Sequence, residues 1–252
     1  MKIQLKRDPR AAFEEIEVEK GTTIETIYKR IEHELPYKIV AAKVNYKYEG
    51  LTYALHRECR VELLDMRTQA ANLVYQSSLS LLYLKAVYDV LGDVEVDIEN
   101  ALNKGLYTEI KRETPVTAKE VRQIQSRMEA LVKADLPLIK EALSKEEAIA
   151  FFEKTGRADK IALLAENPQA KKVRLYALGG YRDFFYGRIV PSTSYLTLFE
   201  LRKYRRGVLL RFPHPSDPNR IPDYVDERVL YQTFGEQSRW GKLMGIDYAF
   251  DL

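Results

Sequence analysis

Across residues 1–65 the hydrophobic positions switch between the two-residue repeat of a strand and the three-to-four-residue repeat of a helix. Ile3 and Leu5 alternate with Lys2, Gln4 and Lys6, the pattern of a strand with one face buried. Phe13, Ile16 and Val18 predict a second strand. Gly21, Thr22 and Thr23 then supply a turn and hydroxyl caps. Ile24, Ile27, Tyr28 and Ile31 follow at helical spacing until Pro36 ends the run. Val40, Ala42, Val44 and Tyr46 alternate again, Tyr48-Glu49-Gly50-Leu51 reads as a turn, and Val61, Leu63 and Leu64 predict a last strand.

The order strand–strand–helix–strand–strand describes a β-grasp domain over residues 1–65. Residues 66–72 read as a short connection. From Asn72 to Leu91 the apolar residues (Leu73, Val74, Leu79, Leu81, Leu82 and Leu84 among them) cover more than one helical face, which predicts a helix buried between layers. Val94, Val96 and Ile98 alternate as a strand. Thr117 with Glu120, and Ser144 with Glu147, have the spacing of capping boxes. Val121, Ile124, Met128 and Leu131 continue the first of these helices until Pro137. Ile149 and Phe152 continue the second until Gly156. Beyond Pro168 the pattern predicts strands over 173–178, 184–190, 195–201 and 208–212, followed by a Pro-rich loop over 213–223. The expected architecture is an α+β chain of two domains, residues 1–65 and residues 72–252, the second built on an antiparallel sheet.

Composition narrows the function classes. The chain has 252 residues, 46% of them hydrophobic and 31% charged, with a net charge of +3. That balance supports a globular core, and confines any nucleic-acid contact to a local patch. A single cysteine, Cys59, excludes an internal disulfide and favours a reducing, cytoplasmic compartment. No run of about 18 apolar residues predicts a membrane span.

The candidate catalytic motifs lack the spacing their chemistry needs. His33, His56 and His214 lie far apart without paired ligand spacing, so no metal site is expected. Cys59 follows His56 by three residues in a strand-like stretch, which would send the two side chains to opposite faces, and Cys59 reads as a small buried residue. Gly235, Gly241 and Lys242 miss the phosphate-loop spacing by one residue, and Leu243 stands where a hydroxyl is needed. Gly179, Gly180 and Gly187 fit a hairpin turn better than a dinucleotide fingerprint. The basic run Arg202, Lys203, Arg205 and Arg206 around Tyr204 pairs phosphate-attracting charge with a ring that can stack on an unpaired base. The same run also fits a solvated edge strand.

Several segments together resemble the N-terminal half of threonyl-tRNA synthetases. Gly21-Thr22-Thr23, Ala41-Ala42-Lys43-Val44-Asn45 and Val61-Glu62-Leu63-Leu64 resemble a TGS domain, a small β-grasp module. Gln76-Ser77-Ser78-Leu79-Ser80-Leu81, Gly105-Leu106-Tyr107-Thr108, Ala134-Asp135-Leu136-Pro137 and Tyr181–Thr193 resemble, in order, segments of the synthetase editing domain. The resemblance covers nearly the whole chain. It places the family's two helix histidines on Gln76 and Ser80, and its later cysteine and histidine on Phe185 and Ile189. Amide, hydroxyl and hydrocarbon cannot do the proton or metal chemistry of those residues. The degenerate pair of domains also resembles the N-terminal region of bacterial uridine-kinase-like nucleoside kinases.

What the resemblance implies is a binding or regulatory module without catalytic residues or cofactor. It would be attached to a nucleoside-kinase-like protein whose P-loop kinase domain follows Leu252, with tRNA as a second expected partner. The ligand cleft implied by the family's pocket is Gln76, Ser80, Tyr107, Lys160, Asp183, Tyr186 and Arg188. Two other readings stay open at this point: a tRNA-binding module gripping through Arg202–Arg206, and a metal-independent aminoacyl-tRNA deacylase using Lys160 and Asp183. Structural ion pairing of Lys160 with Asp183 is the plainer alternative to both.

Overall fold

A computed structural model describes residues 1–102, 105–166, 172–184 and 187–225. Its first part is a five-stranded sheet crossed by one helix: β1 (Lys2–Lys6), β2 (Glu14–Glu17), α1 (Ile24–Ile31), β3 (Ile39–Val44), β4 (Lys47–Glu49) and β5 (Arg60–Asp65). The strand order is β2-β1-β5-β3-β4. The central pair β1–β5 is parallel and the others are antiparallel, which is the β-grasp arrangement. Alternation decides the faces. Ile3 and Leu5 of β1 and Val61 and Leu63 of β5 bury against Ile24, Ile27 and Tyr28 of α1. Thr23 caps the helix by accepting a hydrogen bond from the Thr26 amide, satisfying one of the unpaired donors of the first turn.

Residues 48–49 are strand, not turn. The chain reverses earlier, at Asn45, which takes φ +54°. Asparagine tolerates this left-handed backbone, and its Oδ1 accepts the Arg60 amide at 2.9 Å. The stretch 55–59 is loop rather than strand, and His56 and Cys59 border the same recess.

The rest of the chain comprises α2 (Gln69–Leu91), β6 (Glu95–Leu102), β7 (Gly105–Lys111), α3 (Ala118–Lys133), β8 (Ile139–Ser144), α4 (Lys145–Lys154), α5 (Ala158–Ala165), β9 (Lys172–Leu178), β10 (Tyr181–Asp183), β11 (Glu200–Tyr204) and β12 (Gly207–Arg211). Two antiparallel sheets result, ordered β10-β9-β8 and β11-β12-β7-β6. Both capping boxes form, at Thr117–Glu120 and Ser144–Glu147. Gly179 and Gly180, at φ +53° and +84°, make the tight turn from β9 to β10.

The interval read as a single strand over 184–190 is different. The strand ends at Asp183, and residues 187–190 are a loop with Gly187 at φ +107°. The strand expected from 195 begins at Glu200, after a 3-10 turn over Thr193–Tyr195 that buries Thr193.

The spine is α2. Thr68 caps it, so the helix begins three residues before the expected Asn72. It packs on β3 and β5 of the first sheet and on α3 and β9. Leu79, Leu81 and Leu82 are fully buried. Truncating any one of them to alanine costs about 2–5 kcal/mol. Polar side chains tie it to β7 and to three loops of the second part. Asn72 donates to the Pro213 carbonyl at 3.0 Å, Tyr75 donates to the Leu198 carbonyl at 2.9 Å, and Ser78 Oγ accepts the Val190 amide at 2.9 Å. Tyr83 bonds Thr108 Oγ1 at 2.8 Å. Burial pushes the Tyr75 and Tyr83 hydroxyls well above the ordinary phenol range, so both remain protonated donors. A single buried cluster runs from Ile3 to Phe212. Among the described residues no helix is long and apolar enough to cross a membrane.

Candidate functional site

The most enclosed charge among the expected site residues is Asp183, 3% exposed at the end of β10. Its Oδ1 accepts the Phe184 amide at 2.7 Å and faces Lys160 Nζ at 3.1 Å. Its Oδ2 accepts the Tyr181 hydroxyl at 2.9 Å and faces Arg157 Nη2 at 3.6 Å. Lys160 lies on α5 and Arg157 is the residue that begins it. Two neutral donors hydrogen-bond this carboxylate, one ammonium pairs with it at 3.1 Å, and the guanidinium at 3.6 Å adds charge beyond hydrogen-bond range. Burial first, and then the Asp183 charge, push the Tyr181 hydroxyl far above its ordinary range. Its ring lies 5.7 Å from that of Tyr88 on α2. The recess beside this group, lined by Leu84, Val96, Tyr181 and Asp183, holds about 10 Å³. That is room for about one water. A carboxylate held by two cations and two neutral donors pins α5 to β10.

The structure brings Lys160 and Asp183 together, and gives Gln76, Tyr107 and Arg188 other partners. Gln76 and Ser80 stand one turn apart on α2. Gln76 donates to Asn72 Oδ1 at 2.6 Å, and Ser80 is buried. The loop carrying Ile189 reaches this helix through the Val190–Ser78 hydrogen bond. Arg188 turns to the first sheet, where Glu49 Oε2 lies 3.3 Å away. Tyr107 lies on the face of β7 away from α2, edge-on to Tyr204 at 6.3 Å. Its neighbour Thr108 is the residue that meets α2. Strand alternation through Val96 and Ile98 on the paired strand is the signal that would have picked Thr108 over Tyr107. Tyr186 and Phe185 lie outside the described residues. Arg157 and Tyr181 were not expected, although Tyr181 stands two residues before Asp183, on the same face of the strand.

Among the described residues no group of three or more His, Cys, Asp and Glu side chains could hold a metal ion. His214 bonds Ser216 Oγ at 2.8 Å. Burial pushes the Cys59 thiol upward, away from the thiolate a nucleophile needs.

The basic run is a hairpin. β11 and β12 pair from Glu200–Arg211 to Tyr204–Gly207, leaving Arg205 and Arg206 as the two-residue turn, with Arg205 at φ +48°. Tyr204 is buried against Tyr107, so its ring is not a stacking surface as the sequence suggested. Arg202 lies over the Tyr224 ring at 3.9 Å, and Lys203 donates to the Arg205 carbonyl. Arg206 lies 3.7 Å from Glu109 and keeps 62% of its side chain exposed. Arg202, Arg205 and Arg206 are the exposed cations of the run.

No family model matches the chain. Threonine–tRNA ligase from Desulforamulus reducens is 31% identical over 181 residues, 72% of this chain and 28% of that protein. The threonine–tRNA ligase of Geobacillus kaustophilus is 29% identical over 187 residues, 74% of this chain and 29% of the relative. Threonine–tRNA ligase 1 of Bacillus subtilis is 29% identical over 185 residues, 73% and 29% respectively. The chain is homologous to the N-terminal region of threonine–tRNA ligases. It spans under a third of the length of these curated relatives. The α+β fold, with a β-grasp sheet preceding antiparallel sheets, agrees with that homology.

Proposed function

We propose that the chain is an RNA-binding module with the architecture of the ligases' N-terminal region, and that it does not hydrolyse aminoacyl-tRNA. The observation that carries this reading is the state of the positions where the resemblance puts reacting groups. Gln76 donates its amide to Asn72, the groups at Gln76, Ser80 and Ile189 are not bases, and Asp183 is buried with two hydrogen-bond donors and the Lys160 ammonium on its oxygens. General-base catalysis needs a basic lone pair within reach of the attacking water; amide, hydroxyl and hydrocarbon supply none, and Asp183, the one base among these positions, is shielded by its donors. The relatives carry tRNA in their name, and the exposed guanidiniums of Arg202, Arg205 and Arg206 are where a phosphate backbone can approach this chain.

The test is to incubate the purified chain with mischarged aminoacyl-tRNA, and to measure tRNA binding across a salt series. The expected result is salt-dependent binding with no release of amino acid above buffer. Turnover that disappears in Asp183→Ala would overturn the non-catalytic assignment in favour of a metal-independent deacylase. We further infer that the module is the regulatory N-terminal region of a uridine-kinase-related protein, on the strength of the second resemblance. A coding sequence that continues past Leu252 into G-x4-G-K-[ST] supports that context. A continuation into a ligase core, or a stop, removes it and leaves the RNA reading standing.

A further inference from the structure

The solvent face of the five-stranded sheet carries a recess of about 510 Å³. Its floor is formed by outward side chains of three neighbouring strands: Gln4 on β1, Arg60 and Glu62 on β5, and Lys43 on β3. Phe13 borders it beside the β2 edge, and Tyr46 borders it at the β3–β4 turn. Tyr46 is 88% exposed. A ring so far from the core contributes little to folding, and it is held in water by a rigid turn. The Asn45 amide donates to the Arg60 carbonyl at 2.7 Å, and the Arg60 amide returns a bond to Asn45 Oδ1 at 2.9 Å. A second recess of about 250 Å³ adjoins the first across Asn45, Tyr46 and Cys59, which line both, and it adds Tyr53, Lys47 and Arg57.

The two recesses differ in charge. The first balances Lys2, Lys43 and Arg60 against Glu15, Glu58 and Glu62, with Lys2 and Glu15 paired at 2.7 Å. The second has Lys47 and Arg57 against one carboxylate, Glu49, which Arg188 already holds at 3.3 Å. Balanced donors and acceptors beside an aromatic ring suit the edge and face of a nucleobase, and an adjoining cationic recess suits phosphate. A ligand that repeats this alternation of aromatic face and negative charge is an unpaired polynucleotide strand.

We infer that the turn carrying Tyr46 is a stacking post for unpaired RNA, with a base against the Tyr46 ring in the first recess and the adjoining backbone phosphates drawn to Lys47 and Arg57 in the second. This deepens the RNA-binding reading and rests on it. The experiment is fluorescence anisotropy of a short labelled RNA unable to pair, with bulk tRNA measured in parallel and uridine monophosphate as competitor. Tyr46→Ala should weaken binding of the short RNA about tenfold, and Tyr46→Phe should restore it. The melting temperature should not move, because the side chain lies outside the core. Lys47→Gln with Arg57→Gln should flatten the salt dependence. Unchanged affinity in Tyr46→Ala overturns the inference, as does a mononucleotide that competes as well as the strand. Loss of bulk tRNA binding only in variants of Arg205 and Arg206, with the short RNA unbound, removes this site and keeps the proposed function. Absence of RNA binding in every form removes both.

Discussion

Asp183 with Lys160 and Arg157, and the hairpin carrying Arg205 and Arg206, are two concentrations of charge in the structure. Their surroundings separate them. Asp183 is 3% exposed, accepts two hydrogen bonds and pairs with Lys160 at 3.1 Å, whereas Arg206 keeps 62% of its side chain in solvent and meets Glu109 only at 3.7 Å. A buried carboxylate cannot be left unpaired, so its partners are demanded by the fold. Exposed guanidiniums return little stability through surface pairing, so removing them should cost the fold little.

The largest effect should come from breaking the buried group. Asp183→Ala leaves Lys160 and Arg157 facing an empty site, and a buried pair deprived of one partner typically loses about 3–5 kcal/mol. For a chain of this size that is a fall in Tm on the order of 10 °C. Differential scanning fluorimetry reads it directly. A change under about 1 kcal/mol would mean the carboxylate is held for binding rather than for stability, and the contrast with the hairpin would collapse.

The hairpin should respond in the opposite sense. Arg205 sits at φ +48°, so asparagine, which tolerates that backbone, is the substitution that removes charge without adding strain. Arg205→Asn with Arg206→Gln should leave Tm nearly unchanged. The slope of log affinity for tRNA against log salt should fall by about 2, one for each phosphate that the hairpin no longer neutralises. A slope that does not move would place the RNA-binding surface elsewhere on the chain.

How legible these regions were in the sequence follows from the length and regularity of each pattern. The β-grasp strands were readable because Ile3, Leu5, Val61 and Leu63 keep strict alternation over a sheet with one covered face. The capping boxes were readable because the chemistry is local, three residues apart. β8 was missed because its residues are mostly exposed, with Ile139 itself 49% open, leaving no apolar face to see. The strand expected over 184–190 was misjudged because apolar Ile189 and Val190 look strand-like. In the structure they are a loop docked on α2 through Ser78, a tertiary contact with no local signature. The same cause explains the candidate cleft. Lys160 and Asp183 meet through the packing of α5 on β10, whereas Tyr107 is turned away by a one-residue choice of strand face that β7 shows only once paired.

The smallest expected effect extends the comparison to a half-exposed carboxylate. Glu120 receives Arg112 Nη2 at 2.6 Å and the Thr117 amide at 2.7 Å, and these two, in that order, hold its pKa down to about 2, against an ordinary 4.5. A carboxylate whose folded pKa is depressed stabilises the native state fully above its unfolded value, and that contribution is lost as pH falls from about 4.5 through about 2. Glu120→Gln should therefore lower Tm slightly near neutral pH, by an amount within the usual range of about 0.5–2 kcal/mol for a helix cap. The gap between variant and parent should narrow across that acid window and close below it. A gap independent of pH would mean that the capping geometry, which glutamine can partly keep, matters more than the charge. The charge-assisted bond to Arg112 would then stand with the exposed pairs rather than with Asp183.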